Sequence, residues 1–130
     1  MTIAETLPIP NEFDDDNDYW PHPICTEYEA NRNGIVRHIK RKKPVGCLNN
    51  NGYYKGTVYD NGKKKNIYKH RFLYECFYGV ITDKRVVDHI NNIRIDNRLD
   101  NLQLITQSEN SIKDIKEERV YHRLKLRLLI

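Results

Sequence analysis

Asp88 and His89 stand side by side, Asn101 lies 13 residues beyond Asp88, and Asn110 lies 9 beyond Asn101. Brought together, these residue types could carry out metal-assisted hydrolysis. A carboxylate oxygen from Asp88 and an amide oxygen from Asn110 are hard donors. They suit one divalent ion such as Mg²⁺ or Mn²⁺, which keeps several waters and accepts few protein ligands. A neutral imidazole takes a proton from water near neutral pH. Asp88 and Asn110 are therefore read as metal ligands and His89 as a general base.

The elements that must position them follow from the flanking residues. Val86 and Val87 are β-branched and favour a strand. Asn91, Asn92, Asp96 and Asn97 are turn formers. Leu102, Leu104 and Ile105 supply a second short apolar run. Thr106 with Glu109 three residues on forms a capping box, so a helix starts there. Asn110 then falls in its first turn, near the positive end of the helix dipole. Strand, loop, strand and helix can bring Asp88, His89 and Asn110 to one concave point. Taken singly, each has a plainer reading: a polar pair at a strand end, a turn cap, a solvated helix residue. Taken together, their spacing fits the resemblance described next without a gap.

Residues 86–110 resemble the ββα-metal site of HNH endonucleases, the His-Me finger. Upstream segments follow the order seen in phage and intron-encoded HNH homing endonucleases. They are Tyr28-Glu29-Ala30-Asn31-Arg32-Asn33-Gly34-Ile35-Val36-Arg37, Gly52-Tyr53-Tyr54 to Val58, Asn61-Gly62-Lys63, and His70 to Gly79. The likeness covers roughly residues 24–112. It implies an α+β fold, with a small antiparallel sheet and hairpin region followed by the ββα-metal motif. It also implies a metal-dependent endonuclease that hydrolyses phosphodiesters of double-stranded DNA and leaves a 5′ phosphate. Asn101 would join His89 as a catalytic residue, orienting it or bracing the loop. One departure is Asn92, where many relatives carry Gly. Asn tolerates the left-handed conformation that such a turn needs. Many relatives also carry a helix-turn-helix module after the nuclease core, for which these residues leave no room. The competing reading is a DNA-binding or structural protein that keeps the scaffold without cleaving.

Charge is sharply divided. Residues 1–30 hold eight acids and no Lys or Arg, whereas residues 31–130 hold all 22 Lys and Arg against ten acids, a net +12. A polyanion is the natural partner of that body. No run is long enough for a membrane span, and no secretory signal pattern is read at the N-terminus. Cys25, Cys47 and Cys76 form no CxxC pair, which argues against a structural zinc site and for reduced thiols in a cytoplasmic setting. Cys76 is expected in a helix core. Monomer and homodimer both stay open.

The chain divides into an acidic, irregular arm over 1–23, a β-rich DNA-contacting region over 24–69, the nuclease core over 70–118 and a helical tail over 119–130. Tyr19 and Trp20 are expected to pin the arm. A strand is expected over 34–39 and a turn at 49–52. Strands 53–59 and 65–69 should pair across Asp60-Asn61-Gly62. Helix 71–78 should stop at Gly79. Arg37, Lys40, Arg41, Lys42 and Lys43 form a basic strip, and Lys63, Lys64 and Lys65 a second one among tyrosines. With Arg71, Arg94 and Arg98 they are the expected DNA contacts, Arg94 and Arg98 being best placed for phosphate. His70 reads as a packing residue at a helix start. His22, His38 and His122 read as surface residues.

Overall fold

The computed structural model describes residues 18–116. Most of the acidic arm, and the tail with its expected helix and His122, lie outside the described residues. The fold is α+β, built from small antiparallel sheets and two helices. Strands β1 (Trp20–Pro21), β2 (Tyr28–Ala30) and β3 (Val36–His38) form one sheet. Strands β4 (Cys47–Leu48), β5 (Tyr54–Asp60) and β6 (Lys63–Tyr68) form a second. Helix α1 (Lys69–Tyr78) follows at once. Strands β7 (Val86–His89) and β8 (Leu102–Ile105) pair antiparallel, with a 3₁₀ turn at Leu99–Asn101 before β8. Helix α2 covers 107–116 of the described residues.

Local chemistry accounts for these elements. The β5–β6 turn consists of Asn61 and Gly62, both with positive φ (51° and 79°), the geometry of a type I′ turn. That tight turn pairs Asp60 with Lys63, so β6 begins two residues earlier than the sequence suggests. The strand then yields to α1 at Lys69, also two residues early. Gly79, at φ 96°, ends α1, and its N–H bonds the Glu75 carbonyl.

The core joins the sheets to α1. Ala30, Val36, Val58 and Leu73 are fully buried, with Tyr28, Phe72, Cys76, Val87, Leu99 and Leu102 around them. Full burial of a Val or Leu side chain is worth about 1.5–3 kcal/mol. Cys76 lies in this core as expected. Burial pushes its thiol and that of Cys25 upward, which keeps both protonated.

The start of the described chain is pinned. Trp20 pairs with Ala30 across β1–β2, and its ring lies 5.6 Å from that of Phe77. His22 is not a surface residue: its ring stacks on Phe72 at 4.1 Å and is buried. Its Nδ1 accepts the N–H groups of Ile24 and Cys25, so Nε2–H donates to Glu75 at 3.0 Å. Arg37 also departs from expectation. Cross-strand register sets it opposite Glu29, its Nε donates to that carboxylate at 2.7 Å, and its guanidinium lies 3.5 Å from the Tyr19 ring centre. A buried, paired arginine does not reach out to a nucleic acid.

Candidate active site

The β7–β8 hairpin and α2 enclose a cleft of about 390 Å³, whose walls include Asp88, His89 and Asn110. Neighbouring strand residues point to opposite faces. Asp88 accordingly turns toward α2, and His89 turns toward the connecting loop and the β5–β6 sheet. Thr106 and Glu109 form the expected capping box. The Glu109 N–H donates to Thr106 Oγ1 at 3.1 Å, and Thr106 Oγ1 donates to Glu109 Oε1 at 3.0 Å. That cap fixes where α2 begins, and so places Asn110 at the cleft.

His89 is buried and has an unexpected partner. Its Nε2 lies 2.7 Å from Asn97 Oδ1. An amide oxygen only accepts, so Nε2 carries the hydrogen and Nδ1 keeps its lone pair. In the sequence Asn97 stands out only as a turn former. Asn101, the residue expected to orient His89 or brace the loop, does the second. Its Oδ1 accepts the Asn91 N–H, and its Nδ2 donates to Asn91 Oδ1 and to the Asp96 carbonyl. Asn92 adopts φ 62°, the left-handed conformation anticipated for it.

Asp88 is held from one side. Gln103 Nε2 donates to Oδ2 at 2.9 Å and Lys113 Nζ to the same oxygen at 2.7 Å. Lys113 also donates to the His89 carbonyl at 2.7 Å. Oδ1 takes none of the hydrogen bonds found among the described residues. The donor set therefore fits a hard divalent ion: one free carboxylate oxygen, one amide oxygen, and room for waters. No group of three or more His, Cys, Asp or Glu that could cage a metal occurs among the described residues. Lys113 follows Asn110 at the i,i+3 helical spacing and Asp114, another cleft residue, at i,i+4. That periodicity was the available signal for both.

The expected DNA contacts separate into groups. Arg94 lies at the cleft, donates to the Asn51 carbonyl at 2.7 Å and covers the Tyr53 ring at 4.8 Å. Arg98 is exposed, but both its Nε and Nη2 bond Asp96 at 2.8 Å. That hydrogen-bonded pair holds the Asp96 carboxyl down at about 2. Arg71 is half-buried and turns toward the Ile81 carbonyl. Lys40, Arg41, Lys42, Lys43, Lys63 and Lys64 are exposed; Lys65 is exposed too but pairs with Asp60 at 3.1 Å.

The upstream segment braces this site. Asn31 is buried, and its Oδ1 accepts the N–H groups of Asn33 and Ile35. Gly34 follows at φ 97°, and a Cβ there would lie 3.2 Å from the Asn97 carbonyl carbon and oxygen. The Leu99 N–H donates to the Arg32 carbonyl.

Comparison with known proteins agrees with this geometry. A family model for HNH endonucleases matches residues 67–112. The uncharacterized gene 5.3 protein of Enterobacteria phage T3 is 31% identical in an alignment 96 residues long that covers 67% of this chain and 95% of that protein. The solved HNH homing endonuclease I-HmuI, described as binding and cleaving DNA, shares the fold with a TM-score of 0.69 at 24% identity. That match covers 77% of this chain and 59% of I-HmuI, so the chain spans less than two thirds of that enzyme. Site geometry, fold and family model agree: over residues 67–112 the chain belongs to the HNH endonuclease family.

Proposed function

We propose that this chain is a divalent-metal-dependent endonuclease acting on double-stranded DNA. The observation that carries the reading is the convergence of Asp88, His89 and Asn110 on one cleft with the Arg94 cation beside it. His89 Nδ1 takes a proton from a water, and the water oxygen bonds to phosphorus. The P–O3′ bond breaks, its electron pair leaves with O3′, and O3′ takes a proton from solvent. The products are a 3′ hydroxyl and a 5′ phosphate. Asn97 keeps His89 in the tautomer with Nδ1 open. Asn101 holds the loop that carries Asn97. Arg94 and the exposed lysines of the 40–43 and 63–65 segments meet backbone phosphates. A Mg²⁺ or Mn²⁺ ion held by Asp88 and Asn110 would supply Lewis-acid stabilisation of the charge building on the phosphate and the leaving oxygen.

A second reading draws on Lys113. Its ammonium sits 2.7 Å from Asp88 and supplies a positive charge beside the proposed metal ligand. That arrangement also suits a DNA-binding protein that does not cleave. Supercoiled plasmid with Mg²⁺ or Mn²⁺ separates the two. Under the endonuclease reading the parent nicks or linearises it, and His89→Ala loses about 10²–10⁴ in rate with DNA affinity kept within a few-fold. A parent that binds and never cuts favours the second reading.

A further inference from the structure

His70 shares the cleft with His89 but plays no part in the reaction described above. Its ring centre lies 4.8 Å from that of His89, 5.3 Å from that of Tyr53 and 5.8 Å from that of Tyr68. Tyr53 stacks nearly parallel to it, at 24° between planes. This aromatic wall fixes the ring.

The two ring nitrogens differ. Nδ1 is sealed from solvent and has no hydrogen-bond partner. Buried donors without a partner are rarer than buried acceptors without one. The hydrogen of the neutral ring therefore belongs on Nε2, the nitrogen left facing the cleft. No hydrogen bond among the described residues occupies it.

Burial, and then the nearby His89 and Arg71, push the imidazole down to about 4, against a small opposing effect of Asp88. So weak a base is a poor proton acceptor at neutral pH. It is instead a fixed, uncharged donor. A neutral donor also avoids repelling a metal ion, or the imidazolium that His89 becomes.

We propose that His70 is a substrate-contacting residue whose Nε2–H donates to a non-bridging oxygen of the DNA phosphate held beside His89. A donor to an anionic oxygen makes a strong hydrogen bond, and one aimed where charge builds contributes to the rate. This rests on reading the cleft as a phosphodiester site.

The test uses the full chain labelled with ¹⁵N-histidine. Long-range ¹H–¹⁵N correlation should find His70 neutral with the hydrogen on Nε2, and a short duplex added in EDTA should shift that nitrogen. An Nδ1–H tautomer, or no shift with a duplex that binds, overturns the proposal. In plasmid cleavage His70→Phe keeps the stack and removes the donor, and should lose about 10²-fold in kcat. His70→Gln returns an N–H near Nε2 and should recover part of that loss. Parental cleavage by His70→Phe overturns the proposal, as does equal loss in both variants. A parent that never cuts, with the duplex still shifting Nε2, defeats the endonuclease reading and leaves the phosphate contact standing.

Discussion

Asn97→Ala removes the side chain that holds the His89 ring. The bond is 2.7 Å long, and both residues are only 4% exposed. Truncation leaves a buried N–H unpaired, which costs about 1–3 kcal/mol. The melting temperature should fall by several degrees. The rate effect is separable from this. A domain of ordinary stability, about 5–15 kcal/mol, stays almost wholly folded at room temperature after such a loss. Unfolding alone therefore leaves cleavage nearly unchanged. The ring, however, becomes free to rotate and to exchange tautomers, so Nδ1 is no longer reserved for the water. Loss of comparable orienting partners at other sites costs about 10–100-fold, and a fall of that size is expected in single-turnover plasmid nicking with Mg²⁺.

Asn97→Asp supplies the control. It keeps an acceptor for Nε2–H and adds a negative charge that favours the imidazolium. The variant should keep most of its activity, and its pH–rate profile should move to higher pH. Parental cleavage by Asn97→Ala together with a lowered melting temperature would refute the orienting role and leave Asn97 as a loop brace. An unmoved profile in Asn97→Asp would refute the contact itself.

Asp88→Ala should abolish metal binding measured by calorimetry, and Asn110→Ala should weaken it less, because only Asp88 brings a formal charge; unchanged affinity in Asp88→Ala removes it as a ligand. Gly34→Ala should cost about 1–2 kcal/mol for the left-handed backbone alone. It should also slow cleavage, since the new Cβ would press on the Asn97 backbone; parental melting and rate together would contradict the brace. Asp96 gives a pH dependence. Its hydrogen bonds from Arg98 hold it at about 2, below the ordinary 3.8, so its stabilisation is complete above about pH 4 and is lost as pH falls toward 2. Arg98 is 60% exposed, so after solvent screening the effect is roughly 1 kcal/mol. Asp96→Asn should lose stability at neutral pH and flatten the melting temperature over that acid range; an unchanged acid slope would show that the pair stabilises nothing.

Features set by neighbouring residues were legible in the sequence. Asn61-Gly62 dictates its turn because few residues accept two successive positive φ angles. Thr106 and Glu109 satisfy each other's backbone ends, which fixes the start of α2 and with it Asn110. The two strands β7 and β8 follow from two short apolar runs joined by a polar loop, although their register, Asp88 opposite Gln103 and His89 opposite Leu102, does not. Features that depend on distant packing were hidden. Arg37 looks like part of a basic strip until β2–β3 register sets Glu29 opposite it. His22 looks solvated until α1 brings Phe72 and Glu75 beneath it. Asn97 is one turn former among several, and only its burial beside His89 singles it out.

The site therefore extends beyond the ββα unit that supplies its chemistry. The hairpin and α2 hold Asp88 and Asn110, because strand register and a helix cap are local devices. His89 requires more, since a base must keep one nitrogen open and its ring plane fixed. Its ring meets Tyr53, just before β5, at 6.0 Å, His70 from α1 at 4.8 Å, and Asn97 from the loop. Asn97 is in turn backed by Gly34, whose lack of a side chain permits the close approach, and the loop is tied again through Leu99 to Arg32. Arg94 returns the loop to the 49–52 turn through the Asn51 carbonyl. Apart from the His89–Asn97 bond, these contacts join segments far apart in sequence. The upstream segments thus act on the chemistry through the ring they immobilise, so substitutions there should alter rate before they alter metal affinity.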